Sequence, residues 1–185
     1  MPIGGAAQSF TRSIRGRSPT TIGDGTGDIL GIIDRLPYLA QLGIDAIWVS
    51  PWYPSPMADG GYDVSDYRDI HPDFGTLEQA DTFIARAHDH GLRVLIDLVP
   101  NHSSDRHPWF QAALAAKPGS AERELYIFRD SAGPNGSAPP NNWPAMFGGQ
   151  AWERTTKPDG SCRAVVPAPV RSRAAGLELG EPCGS

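Results

Sequence analysis

Residues 45–104 read DAIWVSPWYPSPMADGGYDVSDYRDIHPDFGTLEQADTFIARAHDHGLRVLIDLVPNHSS, and this stretch decides the fold. DAIWVS, 45–50, is a short apolar run bounded by turn residues, the pattern of a buried strand. A long loop follows, PWYPSPMADGGYDVSDYRDIHPDFG. Thr76 with Gln79 three positions on is a capping box, and opens a helix whose buried stripe is Leu77, Ala80, Phe83, Ile84 and Ala87. Gly91 closes that helix, and LRVLIDLVP, 92–100, reads as a second buried strand.

The same alternation extends outward on both sides. On the N-terminal side Asp28 is an N-cap, and Ile32, Ile33, Leu36, Leu39 and Leu42 recur at helical spacing up to the stop at Gly43. Pro37 is expected to kink or restart that helix. On the C-terminal side the loop NHSSDRHP leads into a short helix over 109–116, after which 130–160 are rich in Gly, Pro and Asn and predict an irregular excursion. Helix, strand, long loop, helix, strand is the rhythm of parallel α/β architecture. The polar clusters DGGYDVSDY and NHSS follow the C-terminal ends of the two strands, where barrels and open parallel sheets bind ligands. Periodicity alone leaves barrel and doubly wound sheet open.

Composition bounds the function classes. The chain has 185 residues, room for one domain with a sizeable core. Its net charge of -5, from 21 acidic and 16 basic side chains, argues against a nucleic-acid partner. No apolar run reaches about 18 residues, so no membrane span is predicted. The opening MPIGGAAQSFTRSIRGRS is basic but has no apolar core, which argues against a signal peptide and for a cytoplasmic location. Gly 21 and Pro 18 suit a loop-rich enzyme better than a helical bundle. No G-x-G-x-x-G or P-loop follows a strand, which disfavours a nucleotide-binding α/β enzyme.

The motifs GDGTGDILGI, IWVSPWYPSPMADGGYDVSDYRDI, FGT and LIDLVPNHSSDRHPWF occur in order between residues 23 and 110, within a resemblance that spans roughly 23–160. Together they resemble the α-amylase superfamily of (β/α)8-barrel glycoside hydrolases, in particular its α-glucosidase, oligo-1,6-glucosidase and trehalose-synthase-like members. The resemblance implies a partial (β/α)8 TIM barrel, its N-terminal portion only, with the start of the loop-rich excursion that follows the third strand. It also implies an α-gluco-oligosaccharide or disaccharide as ligand. DLVPNH resembles the signature in which His102 would donate to a glucose hydroxyl. In ADGGYD, Asp59 would accept from hydroxyls of the terminal glucose and Tyr62 would lie beneath that sugar. A carboxylate and an aromatic ring complement the hydroxyl rim and C–H face of a sugar. Asp97 and Asn101 read as loop supports, Asp63 and Asp66 as loop braces, and Trp52 and Trp109 as core.

GDGTGDI resembles the end of the family's calcium loop, with Asp24 and Asp28 at its last two acidic positions. Calcium takes about 6–8 oxygens, and the earlier ligand positions hold Thr20 and Ile22, so a weak or empty site is expected. An Asp/Gly turn before a helix accounts for the same residues. The resemblance further implies a retaining mechanism, which needs two carboxyl groups about 5 Å apart. In the family these follow the fourth and fifth strands, with a further aspartate after the seventh. None of those motifs is present here, so this chain is expected to be inactive by itself. A non-catalytic, sugar-binding member of the superfamily is the alternative.

Both ends depart from the family pattern in a regular way. Read one base earlier, the codons allowed for 3–22 admit W-W-R-x-A-V-I-Y-Q-I-Y-P-R-S-F-A-D-x-N, running into GDGTGDI. Read one base later, 164–184 admit Q-W-Y-L-H-L-F-A-P-E-Q-P-D-L-N-W-E-N-P-A-V. The expected organisation is therefore 1–22 out of frame or disordered, 23–104 partial catalytic barrel, 105–162 the start of an inserted loop-rich subdomain, and 163–185 out of frame or disordered. Cys162 and Cys183 then imply no disulfide. With the first strand and the last five missing, a two-strand remnant would leave edges unpaired and apolar faces such as Ile47 and Leu95 uncovered.

Overall fold

In a computed structural model of the chain, the structure describes residues 10–11, 27–145, 149–156 and 162–165. They form two compact units, one within 1–54 and 66–99, the other within 55–65 and 100–185.

The first unit is built on a parallel sheet of order β1-β2-β3, with β1 at Phe10–Thr11, β2 at Ala46–Val49 and β3 at Arg93–Ile96. Ile47 lies opposite both Phe10 and Val94. Parallel neighbours require crossovers, and two helices supply them: α1, Ile29–Gln41, precedes β2, and α2, Leu77–Asp89, joins β2 to β3. The helices pack on one another. α1 is started by Asp28, whose Oδ1 accepts from the Gly31 N–H at 2.6 Å, and it runs through Pro37 as one element. α2 carries the expected capping box, with Thr76 Oγ1 accepting from Gln79 N and Gln79 Oε1 accepting from Thr76 N. Gly43 and Gly91 follow the helices with φ of 78° and 74°, the left-handed conformation that ends a helix at little cost only for glycine. The core holds Ile29, Leu36, Val49, Ala80 and Phe83, and the Trp52 ring meets the Phe83 ring edge-on at 6.4 Å.

The second unit contains α3, Pro108–Ala115, α4, Ala121–Glu124, and an antiparallel sheet of order β4-β6-β5, with β4 at Phe128–Arg129, β5 at Glu153–Thr156 and β6 at Cys162–Val165. Arg123 joins its parts. The guanidinium Nη1 donates to the carbonyls of Ala113 and Leu114 at 2.6 and 3.1 Å, satisfying the open end of α3, and the group lies over the Phe128 ring. Asn141 Oδ1 accepts from Trp152 Nε1 and from the Trp143 N–H, beneath the stacked indoles of Trp143 and Trp152.

Several expectations are corrected. A first strand is present at Phe10–Thr11, because parallel pairing uses backbone groups that any sequence supplies. Ile47, expected to be uncovered, is 8% exposed. The 92–100 run is not a buried strand: Leu98 is 70% exposed, and Leu95, expected to be uncovered, is 52% exposed. β3 lies at the edge of the sheet. Leu42 and Leu77 sit at helix ends and are exposed, as is Trp109 at the start of α3, whereas Trp52 is core as expected. The excursion over 130–160 contains β5, and Cys162–Val165 form β6 across the expected boundary at 162. Among the described residues no helix is long and apolar enough to cross a membrane.

Candidate functional site

The loop after β2 contributes residues 55–65 to the second unit, and the segment after β3 joins it there from 100 onward. The two are laced together by backbone and side chain. Ser104 N donates to Val64 O at 2.7 Å, and His102 Nε2 lies 3.1 Å from Tyr62 O. The ring's other nitrogen, Nδ1, is 3.2 Å from Asn101 Nδ2. An amide nitrogen only donates, so Nδ1 accepts, the proton sits on Nε2, and Nε2–H donates to the Tyr62 carbonyl. The fold thus brings Tyr62 and His102 together directly. Asp59 is tied to Tyr62 by a turn in which Tyr62 N donates to Asp59 O at 3.2 Å. All three side chains are half-buried.

The conformation of 55–63 is set by Asp63, which is 6% exposed. Its Oδ1 accepts from Ser55 Oγ at 2.6 Å and from Asp59 N at 3.2 Å, and its Oδ2 accepts from Ala58 N at 3.0 Å. Ser55 Oγ also accepts from Met57 N at 2.9 Å. The brace reading of Asp63 agrees with this geometry. Asp66 likewise accepts from Arg68 N at 2.9 Å, and Asn101 supports His102. Ser55 was not signalled by the sequence, because a serine eight positions before an aspartate in an irregular loop matches no local pattern.

In the first unit, Asp97 Oδ1 accepts from Trp48 Nε1 at 2.8 Å, and its amide donates to Val49 O. Asp97 is thus the expected support, bonded to β2 at the end of β3. Tyr53 and Tyr67 form a tilted ring pair, and Tyr67 Oη donates to Val99 O at 2.8 Å. Burial, with the Asp97 carboxylate nearby, holds the Tyr53 phenol above its ordinary titration range.

Of the two proposed calcium ligands, Asp24 lies outside the described residues, and one oxygen of Asp28 is committed to the α1 N-terminus. Among the described residues no three His, Cys, Asp or Glu side chains gather to hold a metal. Asp28 alone does not make the oxygen cage that calcium requires.

Polar loops after the C-terminal strand ends are where parallel α/β folds place their ligand sites, and the chain belongs to the alpha-amylase family: it matches "Alpha amylase, catalytic domain" over residues 9–159. It is 56% identical over 133 residues to a probable alpha-glucosidase of Rhizobium meliloti strain 1021, covering 72% of this chain and 24% of the relative. It is 50% identical over 133 residues to the oligo-1,6-glucosidase of Heyndrickxia coagulans, covering 72% of this chain and 23% of that one. Among solved structures, the trehalulose synthase MutB from Pseudomonas mesoacidophila MX-45 is similar with a TM-score of 0.73 and 42% identity, covering 83% of this chain and 26% of that chain. The chain thus spans about a quarter of the length of the relatives it matches. The family match begins at residue 9, inside the segment read above as out of frame.

Proposed function

We propose that this chain carries the glucose-recognition loops of an α-glucosidase-like retaining glycoside hydrolase, its parallel sheet being the N-terminal part of a (β/α)8 barrel. The observation that carries this is the joining of Asp59, Tyr62 and His102 by a turn and an imidazole–carbonyl bond within one compact unit, in a chain 56% identical to a probable alpha-glucosidase. In this reading Asp59 accepts from paired hydroxyls of a terminal glucose, the Tyr62 ring lies against the sugar's C–H face, and His102 shapes the same pocket. The substrate class is α-linked gluco-oligosaccharides or disaccharides.

Hydrolysis belongs to longer proteins in this reading. Retention requires a nucleophilic carboxylate and a carboxylic acid about 5 Å apart. No motif of this sequence corresponds to either, and ground-state sugar contacts alone do not lower the barrier. The chain by itself is therefore expected to bind without cleaving.

A non-catalytic sugar-binding role is the second reading, favoured by the same network being complete within one unit. Calorimetric titration of the chain with maltose and trehalose, beside release of p-nitrophenol from its α-glucoside, tests both. Saturable binding without release supports recognition by these loops, and release overturns the inactive reading. If neither sugar binds, the recognition reading fails. Resequencing the source DNA from upstream of Met1 to past Ser185 tests whether 1–22 and 163–185 are out of frame.

A further inference from the structure

We propose that Asp63 is a positioning residue for sugar recognition, holding Asp59 and Tyr62 in their binding geometry through a clasp closed with Ser55; this rests on the glucose reading of that loop. Three donors converge on one carboxylate: the Ser55 hydroxyl and the amides of Ala58 and Asp59. Ser55 and Asp63 are both more than nine-tenths buried. No basic side chain among the described residues forms an ion pair with Asp63. A buried carboxylate facing neutral donors of its own loop is an expensive way to gain stability alone. It is an effective way to fix several amides at once, because each bond to a charged acceptor is short and directional.

Two features of the loop show what the clasp fixes. Met57 has φ of 61°, the one positive value at a non-glycine among the described residues. A side chain is rarely held there unless its surroundings determine the backbone, and the Ser55 hydroxyl takes the Met57 amide. The Asp59 residue whose amide Asp63 holds is also the one whose carbonyl accepts from Tyr62 N. Fixing Asp59 at one side of that turn therefore sets Tyr62 at the other.

Asp63→Asn keeps the shape of the side chain but turns one acceptor into a donor. In one orientation its NH2 opposes Ala58 N–H, and in the other it opposes Asp59 N–H and the Ser55 hydroxyl must turn from donor to acceptor. Ser55→Ala removes the hydroxyl, and Ser55→Thr keeps it. The test measures maltose affinity of the full chain by calorimetry, amide hydrogen exchange at Ala58 and Asp59, and the melting temperature. Asp63→Asn and Ser55→Ala are each expected to weaken maltose binding about ten-fold or more and to speed exchange at both amides, while the chain stays folded. Ser55→Thr is expected to retain binding.

Faster exchange with unchanged maltose affinity reduces Asp63 to a brace and overturns the proposal, as does an affinity loss that only tracks loss of folded protein in every variant. Absence of maltose binding by the unsubstituted chain overturns the glucose reading and this assignment with it. Binding that Tyr62→Ala abolishes and Asp63→Asn leaves intact overturns the assignment alone.

Discussion

The imidazole of His102 donates through Nε2 to the backbone carbonyl of Tyr62, 3.1 Å away and forty positions earlier in the chain. A residue in the segment after β3 thereby fixes the backbone of a residue in the loop after β2, and Asn101 fixes the ring's tautomer in turn. His102→Ala is expected to leave the Tyr62 carbonyl and the Asn101 amide without this partner. The expected cost is about 1–3 kcal/mol of stability, with weaker maltose binding. Urea unfolding monitored by circular dichroism, paired with calorimetry, reads both. Unchanged stability would show that the bond ties nothing down.

Asp28 separates two explanations of the GDGTGDI segment. As the cap of α1, its replacement by alanine is expected to cost about 1 kcal/mol, and Asp28→Asn, which keeps an acceptor, to cost less. The melting temperature is expected to be the same in calcium and in a chelator. A melting temperature that falls in chelator, and ceases to depend on calcium in Asp28→Asn, would establish a working calcium site instead.

Gly75 combines a φ of 137° with a crowded position: a Cβ there would collide with Gln79 Oε1, the oxygen that closes the capping box. Gly75→Ala therefore strains the backbone and disrupts the cap together, and is expected to lower stability by about 2–3 kcal/mol. Thr76→Ala, which removes only the hydroxyl, is expected to cost about 1 kcal/mol. Equal losses from the two in denaturant titration would argue against the steric part.

The Tyr53 phenol titrates above its ordinary value, first because it is partly buried and second because the Asp97 carboxylate opposes a second negative charge. A raised folded-state value means that the folded chain holds this proton more tightly than the unfolded chain. The resulting stability is fully present below about pH 10, the unfolded value, and is lost as the pH rises through the folded one. Tyr53→Phe is expected to flatten the alkaline fall in melting temperature above about pH 10. An unchanged alkaline profile would assign the fall to other groups.

Much of the first unit was legible locally. α1, β2 and α2 lie within about two residues of the bounds set by apolar period, caps and glycine stops, whereas β3 ends at Ile96, four residues short of the run read as a strand. Asp28 and the Thr76–Gln79 box perform the capping that their spacing predicts. The site residues Asp59, Tyr62 and His102 came from motifs in order along the chain, which name positions but not partners. Trp109 was misread because an aromatic at a helix start looks the same in sequence whether or not a neighbour covers it. The β4-β6-β5 sheet was missed because its strands are two to four residues long in a segment rich in glycine and proline. Runs that short carry too little period to read.

By itself, the sequence determined what depends on neighbours a few positions apart: helix starts and stops, strand segments, and the order of its family motifs. The tertiary structure alone decided that Leu98 is exposed, that His102 spends its proton on Tyr62, and that Ser55 closes on Asp63. These depend on which distant segments come within hydrogen-bond or van der Waals reach. That is set by packing and chain closure, for which local sequence period holds no signal.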